Sequence, residues 1–410
     1  MEFISWIALI ILAGALGVLF VQALSIHPLK MSYYIIATCA VLFLIVALLS
    51  QSFEKSALII AMLVVLGMFV VGNLSMTKII LSRDDSRPVP ELTREPGDPG
   101  LGHTAVVYFT HGEPETYNPI GWINQFNEFD EQGIPFIPMI ARPFFFNALR
   151  NKYLEVGASG HRKMHHQMIG KLEEAFRAEG DTTTKFYLSF LDDNPRPDAA
   201  AIQALNEGAS RIIVAEVFLT ISNHTAEGEH QIEELNIEER FGIPVEYTGP
   251  LYDSETLKSM FVSRANANLG NSDKTKVGIL LVGHGQPDEW DVEWPTETEH
   301  EIGFRNDVLA LLAEDGYKSE NLALAWMEFK EPKPAEQIEI FLKNGIEKLM
   351  FFSAAISADA IHSQYDIPEL VYKAEFPEGF PVIDLGAWND DPTVIQAIKE
   401  KIDALMALDS

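Results

Sequence analysis

AVVYFTHGEPE (105–115) and GILLVGHGQPDEW (278–290) decide the fold. Each is an apolar run, rich in β-branched and aromatic residues, that stops at a His-Gly pair. An acidic residue or Gln follows, then Pro. A continuous apolar run bounded by such a break is how a strand buried on both faces of a parallel sheet reads. Its carboxyl end then delivers a side chain to the rim where open α/β sheets bind ligands. A lone histidine there is usually just a polar rim residue. Two at the same place, His111 and His284, point to chemistry.

The likeness extends further. AAIQALNEGASRIIVAEVFLTISNH runs to His224, and AEQIEIFLKNGIEKLMFFSAAISADAIH runs to His362. Both give an amphipathic helix, a Gly (Gly208, Gly345), an apolar strand and a polar loop with His. An internal repeat of this kind implies two similar lobes, placed at 104–250 and 251–410. Each lobe is expected to present two histidines at one end of its sheet: His111 with His224, and His284 with His362. A repeat also preserves a fold when one copy loses its activity, so both lobes need not work.

Between these landmarks, strand-like runs (105–110, 185–190, 211–219, 278–283, 322–327, 348–353, 382–385) alternate with helix-like ones (163–178, 197–207, 254–268, 301–315, 334–344, 392–407). Such alternation predicts an α/β fold in which each lobe is a parallel sheet flanked by helices. There is no GxGxxG, GxxxxGK[ST] or GxSxG motif, so nothing supports a nucleotide cofactor or a serine nucleophile.

The 410 residues carry a formal net charge of -29, with pI about 4.7. That argues against a nucleic-acid binder, which needs a basic face to meet phosphates. The single cysteine, Cys39, rules out an intramolecular disulfide and any cysteine-based metal cluster. A metal must be held by His, Asp, Glu or solvent.

Residues 1–80 hold three apolar runs, about 4–26, 33–50 and 56–76. Each approaches the ~20 residues that a membrane-crossing helix needs. The first lacks the basic start of a signal peptide. Gly14, Gly17, Gly67 and Gly72 are candidates for close helix packing. Lys30 in the first loop, and Lys78, Arg83, Arg87 and Arg94 after the third run, outweigh Lys55. The positive-inside rule then predicts a multi-pass cell-membrane protein with the large carboxyl part in the cytoplasm. Residues 81–103, with the Pro- and Gly-rich stretch 82–100, read as a linker.

Four segments carry a family resemblance. THGEPETYNP (110–119), RNKYLEVGASGHRKMHHQMIGKLEEAF (150–176), LLVGHGQP (280–287) and FKEPKPAEQIEIFLKNGIEKLMFFSAAISADAIHSQYDIPEL (329–370) resemble, in order and spacing, the chelatase superfamily of ferrochelatases and sirohydrochlorin cobalt or iron chelatases. The resemblance covers nearly all of 101–410. It matches Tyr153, Gly157, Ser159 and Gln167 to the tyrosine, Gly-rich turn and following helix, and places the active-site histidine at His284. Where ferrochelatases usually carry a catalytic Glu, this chain has His362 followed by Asp-Ile-Pro, as in the sirohydrochlorin type. It departs in having Ser159-Gly160 for the usual Ser-Pro, no identifiable contacts for tetrapyrrole carboxylates, and three fused membrane helices.

The resemblance implies insertion of a divalent metal (Fe or Co, with Ni or Zn also suited) into a tetrapyrrole such as sirohydrochlorin or protoporphyrin. Neutral imidazole can both bind such an ion and accept a pyrrole proton. His284 is expected to be metal ligand and base, and His362 the second ligand. Asp366 is either a further ligand or a helix N-cap. If a helix starts at His362, then His362, Asp366 and Glu369 share one face. Asp288, Glu289, Glu293, Glu297 and Glu299 follow His284 in a loop that either attracts metal or is merely solvated. Trp290 and Trp294 there, with Tyr153, are candidates to contact the macrocycle. His111 and His224, with Glu227, Glu229 and His230 nearby, form a second candidate metal pair or a vestigial copy. His161, His165 and His166 read as a polar surface helix or, for the first two, a shared site. Two other functions compete: a metal- or tetrapyrrole-binding module without turnover, and an accessory subunit with a membrane-protein partner. A homo-oligomer is compatible with either.

Overall fold

The computed structural model describes residues 2–50, 55–82, 88–131 and 137–407. The chain divides into two units: Met1–Ser86 with Thr116–Ala158, and Arg87–Glu115 with Ser159–Ser410.

The first unit contains α1 (Glu2–Ser25), α2 (Pro28–Leu49) and α3 (Lys55–Leu81). All three are long and apolar enough to cross a membrane. Glycines let α1 and α3 approach closely: a Cβ on Gly17 would meet Phe69 N at 2.8 Å, and one on Gly72 would meet Val18 Cα at 3.3 Å. Gly67 takes no part, since nothing lies within 4 Å of its missing Cβ. The unit also holds α4 (Pro119–Glu131) and α5 (Arg142–Val156), which the sequence reading left without elements. Aromatics in α5 fall on several faces: Phe146 is buried while Phe144 is exposed. No clean apolar stripe announces the helix.

The second unit is the repeat. Its first sheet is built from β1 (His103–Thr110), then, after α6 (His161–Ala178), β2 (Lys185–Phe190). After α7 (Pro197–Asn206) come β3 (Ala209–Glu216), α8 (Asn223–Glu233), α9 (Ile237–Phe241) and β4 (Val245–Tyr247). α10 (Glu255–Ala267) leads to the second sheet. That sheet comprises β5 (Val277–Gly283), α11 (Trp290–Glu293), α12 (Pro295–Glu314), β6 (Leu322–Trp326), α13 (Pro334–Lys343), β7 (Lys348–Ser353), α14 (Ile367–Val371), β8 (Val382–Asp384) and α15 (Pro392–Met406).

Both sheets are wholly parallel and share one strand order, β2-β1-β3-β4 and β6-β5-β7-β8. β4 was not foreseen, being three half-buried residues with no apolar run. Alternation along the central strands sorts side chains between two layers. Val106 and Tyr108, like Val277, Ile279 and Leu281, face one core shared by the two lobes and filled by α10 and α15. Ala105, Val107 and Phe109 face a second core, and Leu280 and Val282 a third. The linker is not slack throughout. Arg94 is buried and donates to Ala209 O at 2.5 Å, and Thr93 N–H donates to Asn206.

Candidate functional site

β1 and β5 end at His111 and His284, and the loops behind them are built alike. The N–H of Val217 donates to Phe109 O and that of Ala354 to Val282 O, both at 2.8 Å. The N–H of Asp192 donates to His111 O, and that of Glu328 to His284 O. The following glycines have φ of +94° (Gly112) and +83° (Gly285). A Cβ on Gly285 would lie 2.6 Å from Glu328 O, so only Gly allows this turn.

That turn fixes the imidazoles. His111 Nδ1 lies 2.8 Å from Gly112 O, and His284 Nδ1 lies 2.6 Å from Gly285 O. With Nδ1–H donating to a carbonyl, the lone pair sits on Nε2 in both rings, available to a metal or a proton. His224 stands in the first turn of α8, whose start is set by a Ser222–Thr225 capping box. His362 opens a π-helical turn, His362–Asp366, that leads into α14. Its Nδ1 bonds Asp366 Oδ2 at 2.8 Å. Asp366 stands at the N-cap position of α14 but makes no capping bond; its carboxylate orients His362 instead.

The expected pairs are formed. The rings of His111 and His224 lie 4.7 Å apart, and those of His284 and His362 5.4 Å apart. Burial, then the charges of His111 and His284, hold His224 well below the ordinary imidazole range. Burial and then His362 lower His284. Burial also opposes the charged form of His362, but its bond to Asp366 prevails and brings it up to about 8. At neutral pH the second pair is therefore one neutral imidazole and one imidazolium.

Two acids escaped the sequence reading. Glu113, in the first lobe, accepts from the N–H of Ile361 at 3.0 Å, one residue before His362, and from the hydroxyl of Ser159. Burial raises its carboxyl, and the Ser159 bond, then His362 and the Ile361 N–H, pull it part of the way back. The charge of Glu328 acts on both His284 and His362, favouring their protonated forms. The signal for Glu328 was present: it lies two residues past β6, as Asp192 lies two past β2, and Asp192 is 3.4 Å from His111.

The remaining candidates are scattered. Trp290 stands edge-on to His224 at 6.3 Å. The carbonyl of Trp294 accepts from Gln286, and Glu297 is buried, which pushes it up to about 8. Lys330 meets Asp288 at 3.2 Å and Asp291 at 2.5 Å, partly neutralising the acidic loop. Glu369 is exposed, and His230 is exposed beside Glu234. Tyr153 belongs to the first unit, buried against Tyr117. His161 and His165 are buried rather than on a surface, with rings 4.4 Å apart, while His166 is exposed. Both nitrogens of His165 lie near hydroxyls, those of Tyr108, Thr110 and Ser357. That leaves it no lone pair for a shared metal. Among the described residues, no three His, Cys, Asp or Glu side chains gather closely enough to hold a metal ion.

A model of the ferrochelatase family matches residues 103–405. The chain belongs to the ferrochelatase family. No curated protein matches it. Among solved structures, this ferrochelatase-family chain is similar to SirB from Bacillus subtilis with Fe3+ (14% identity, TM-score 0.47, 73% of this chain and 94% of that one). It is also similar to the sirohydrochlorin chelatase SirB from Bacillus subtilis subspecies spizizenii in complex with cobalt (12%, TM-score 0.43, 73% and 94%). A third is DR2241 from Deinococcus radiodurans, a multi-domain protein with structural similarity to chelatases (16%, TM-score 0.44, 75% and 55%).

Proposed function

We propose that this protein is a membrane-anchored chelatase that inserts a divalent metal, Fe or Co first among candidates, into a tetrapyrrole. The observation that carries the reading is the His284–His362 pair: two imidazoles 5.4 Å apart, each with Nδ1 engaged and Nε2 open. Two ligands leave an ion under-coordinated and able to be handed on, whereas a closed four-ligand cage would trap it. Insertion releases two pyrrole protons. His284, neutral at pH 7, accepts one at Nε2 once the metal has passed from it to the macrocycle, and solvent takes the other. His362 binds metal once its own proton is lost, and Asp366 fixes its ring as carboxylates behind ligating histidines do. His111 and His224 form a second candidate metal pair. Trp290 and Trp294 are the proposed macrocycle contacts. The three apolar helices anchor the enzyme, with the second unit in the cytoplasm.

The test mixes solubilised protein with sirohydrochlorin or protoporphyrin and Fe, Co, Ni or Zn, and follows the absorption change on metallation. Insertion above the uncatalysed rate, lost in His284→Ala and His362→Ala, is the expected result. Binding of metal or macrocycle with no metallated product from any pair overturns it.

A further inference from the structure

The contacts of residues 116–158 within the first unit form a ladder along α1 and α3. Gly72 of α3 lies level with Val18 of α1. Beside it, Asn73 Nδ2 donates to Met139 O at 2.6 Å. At about the same level, Phe144 packs on Phe20 and Phe69, with ring centroids 6.2 and 5.9 Å away. At the end of α1, Arg150 donates to Ala23 O and Ile26 O, and the Tyr117 hydroxyl donates to Ser25 O. From Val18 to Ser25 a helix climbs about 10 Å.

We infer that Met139 to Phe144 lies within the hydrocarbon edge of the bilayer, with α5 climbing out of it toward Arg150, and that this face binds lipid. This rests on the reading of α1 and α3 as membrane-spanning. The occupant follows from continuity. Phe144 packs on aromatics of two spanning helices yet remains 52% exposed, and Ile140 beside it is 49% exposed. Two polar contacts at this depth are closed within the unit, as a lipid environment favours, while Asn73 Oδ1 has no partner there. Met139 O takes the Asn73 amide, and Arg142, buried, pairs with Asp130 at 2.5 Å and lies over the Phe126 ring. Charges inside a membrane survive when paired in this way. An apolar flank ending in Tyr117 and Arg150, near the level where α1 ends, suits the interfacial zone.

The test places single spin labels by Ile140→Cys, Phe144→Cys, Leu154→Cys and Leu63→Cys in a Cys39→Ser chain, reconstituted full-length in phosphatidylcholine–phosphatidylglycerol vesicles. Collision with oxygen, enriched in lipid, is compared with collision with a water-soluble nickel complex. The labels at 140 and 144 are expected to favour oxygen as the label at Leu63 in α3 does, with 154 nearest water. If Leu63 favours oxygen while 140 and 144 favour nickel, the inference is overturned and the spanning helices stand. If Leu63 itself favours nickel, the spanning reading fails and the inference with it. Ile140 has no aromatic packing to lose, so it decides the matter should Phe144→Cys misfold.

Discussion

Beneath His111 lies Thr110, and against it the buried imidazole of His165, with that of His161 beside His165. Beneath His284 lies Gly283, and in the space left by its missing side chain sits a buried ion pair, Glu301 with Arg305 at 3.6 Å. Glu301 Oε1 takes the N–H of His284 itself, at 2.8 Å. Arg305 donates to Leu281 O and Ala325 O and lies over the Trp326 ring. On the neighbouring strand, Glu216, with Glu229 against it, stands where the second lobe has Ser353. Two residues past each histidine, Glu113 reaches across to the other lobe, while Gln286 turns back to Asp291 and Trp294. Strand order sets where a histidine stands. The layer beneath decides whether a charged pair grips its backbone, as Glu301 grips that of His284.

The sharpest way to break this asymmetry is to remove each histidine in turn. His284→Ala is expected to lower metallation by about 10²–10⁴-fold, the range for loss of a general base; His111→Ala should cost roughly tenfold or less. Equal losses, measured as initial rates, would make the lobes catalytic equals. Next is Asp366→Asn. In the unaltered protein, His362 must shed a proton held up to about 8, so metal binding should strengthen as pH rises through that value. In Asp366→Asn the step should move to lower pH, and the plateau affinity should fall about 10–100-fold. Calorimetric titration with Co or Zn between pH 6 and 9 reads both.

A smaller effect tests the cross-lobe contact. Glu113→Ala leaves the Ile361 N–H and the Ser159 hydroxyl without their acceptor, at a cost of about 1–3 kcal/mol. Gln286→Ala should cost less, since its bonds stay within one lobe; denaturant midpoints compare the two. The smallest effect concerns Glu216. Burial, then Glu229, pushes its carboxyl up to about 9, so the folded state keeps a proton that the unfolded chain releases above the ordinary carboxylate range. Stability from this group is therefore full at low pH and lost as pH rises toward 9. Glu216→Gln removes that dependence. Its melting temperature should match the parent near pH 4 and exceed it by roughly 2–4 °C at pH 8. A constant difference across pH would sink the assignment.

The sequence disclosed what depends on local pattern. The paired His-Gly stops, the parallel strands and the three apolar helices are all period and punctuation. The pairing of His284 with His362 followed from the repeat and the family likeness. What stayed hidden depends on distant packing. Glu301 and Arg305 are an ordinary i,i+4 pair until burial is known. Glu113 reads like Gln286 until the lobes are placed. The sharing-out of protons between His284 and His362 needs both burial and the bond to Asp366. α4 and α5 went unread because their apolar residues face a neighbouring bundle on several sides.

One backbone bond bears on how a soluble form could be made. Residues 116–158 leave the second unit at Glu115 and return at Ser159, and the N–H of Ser159 donates to Glu115 O at 2.9 Å. Cutting the chain after α3 leaves α4 and α5 in place, with the apolar surface that α1 and α3 had covered laid bare. Excision has to take both pieces. The ends left by the second cut already lie side by side, so a short splice from Glu115 to Ser159 closes it, and the four histidines remain on the retained chain.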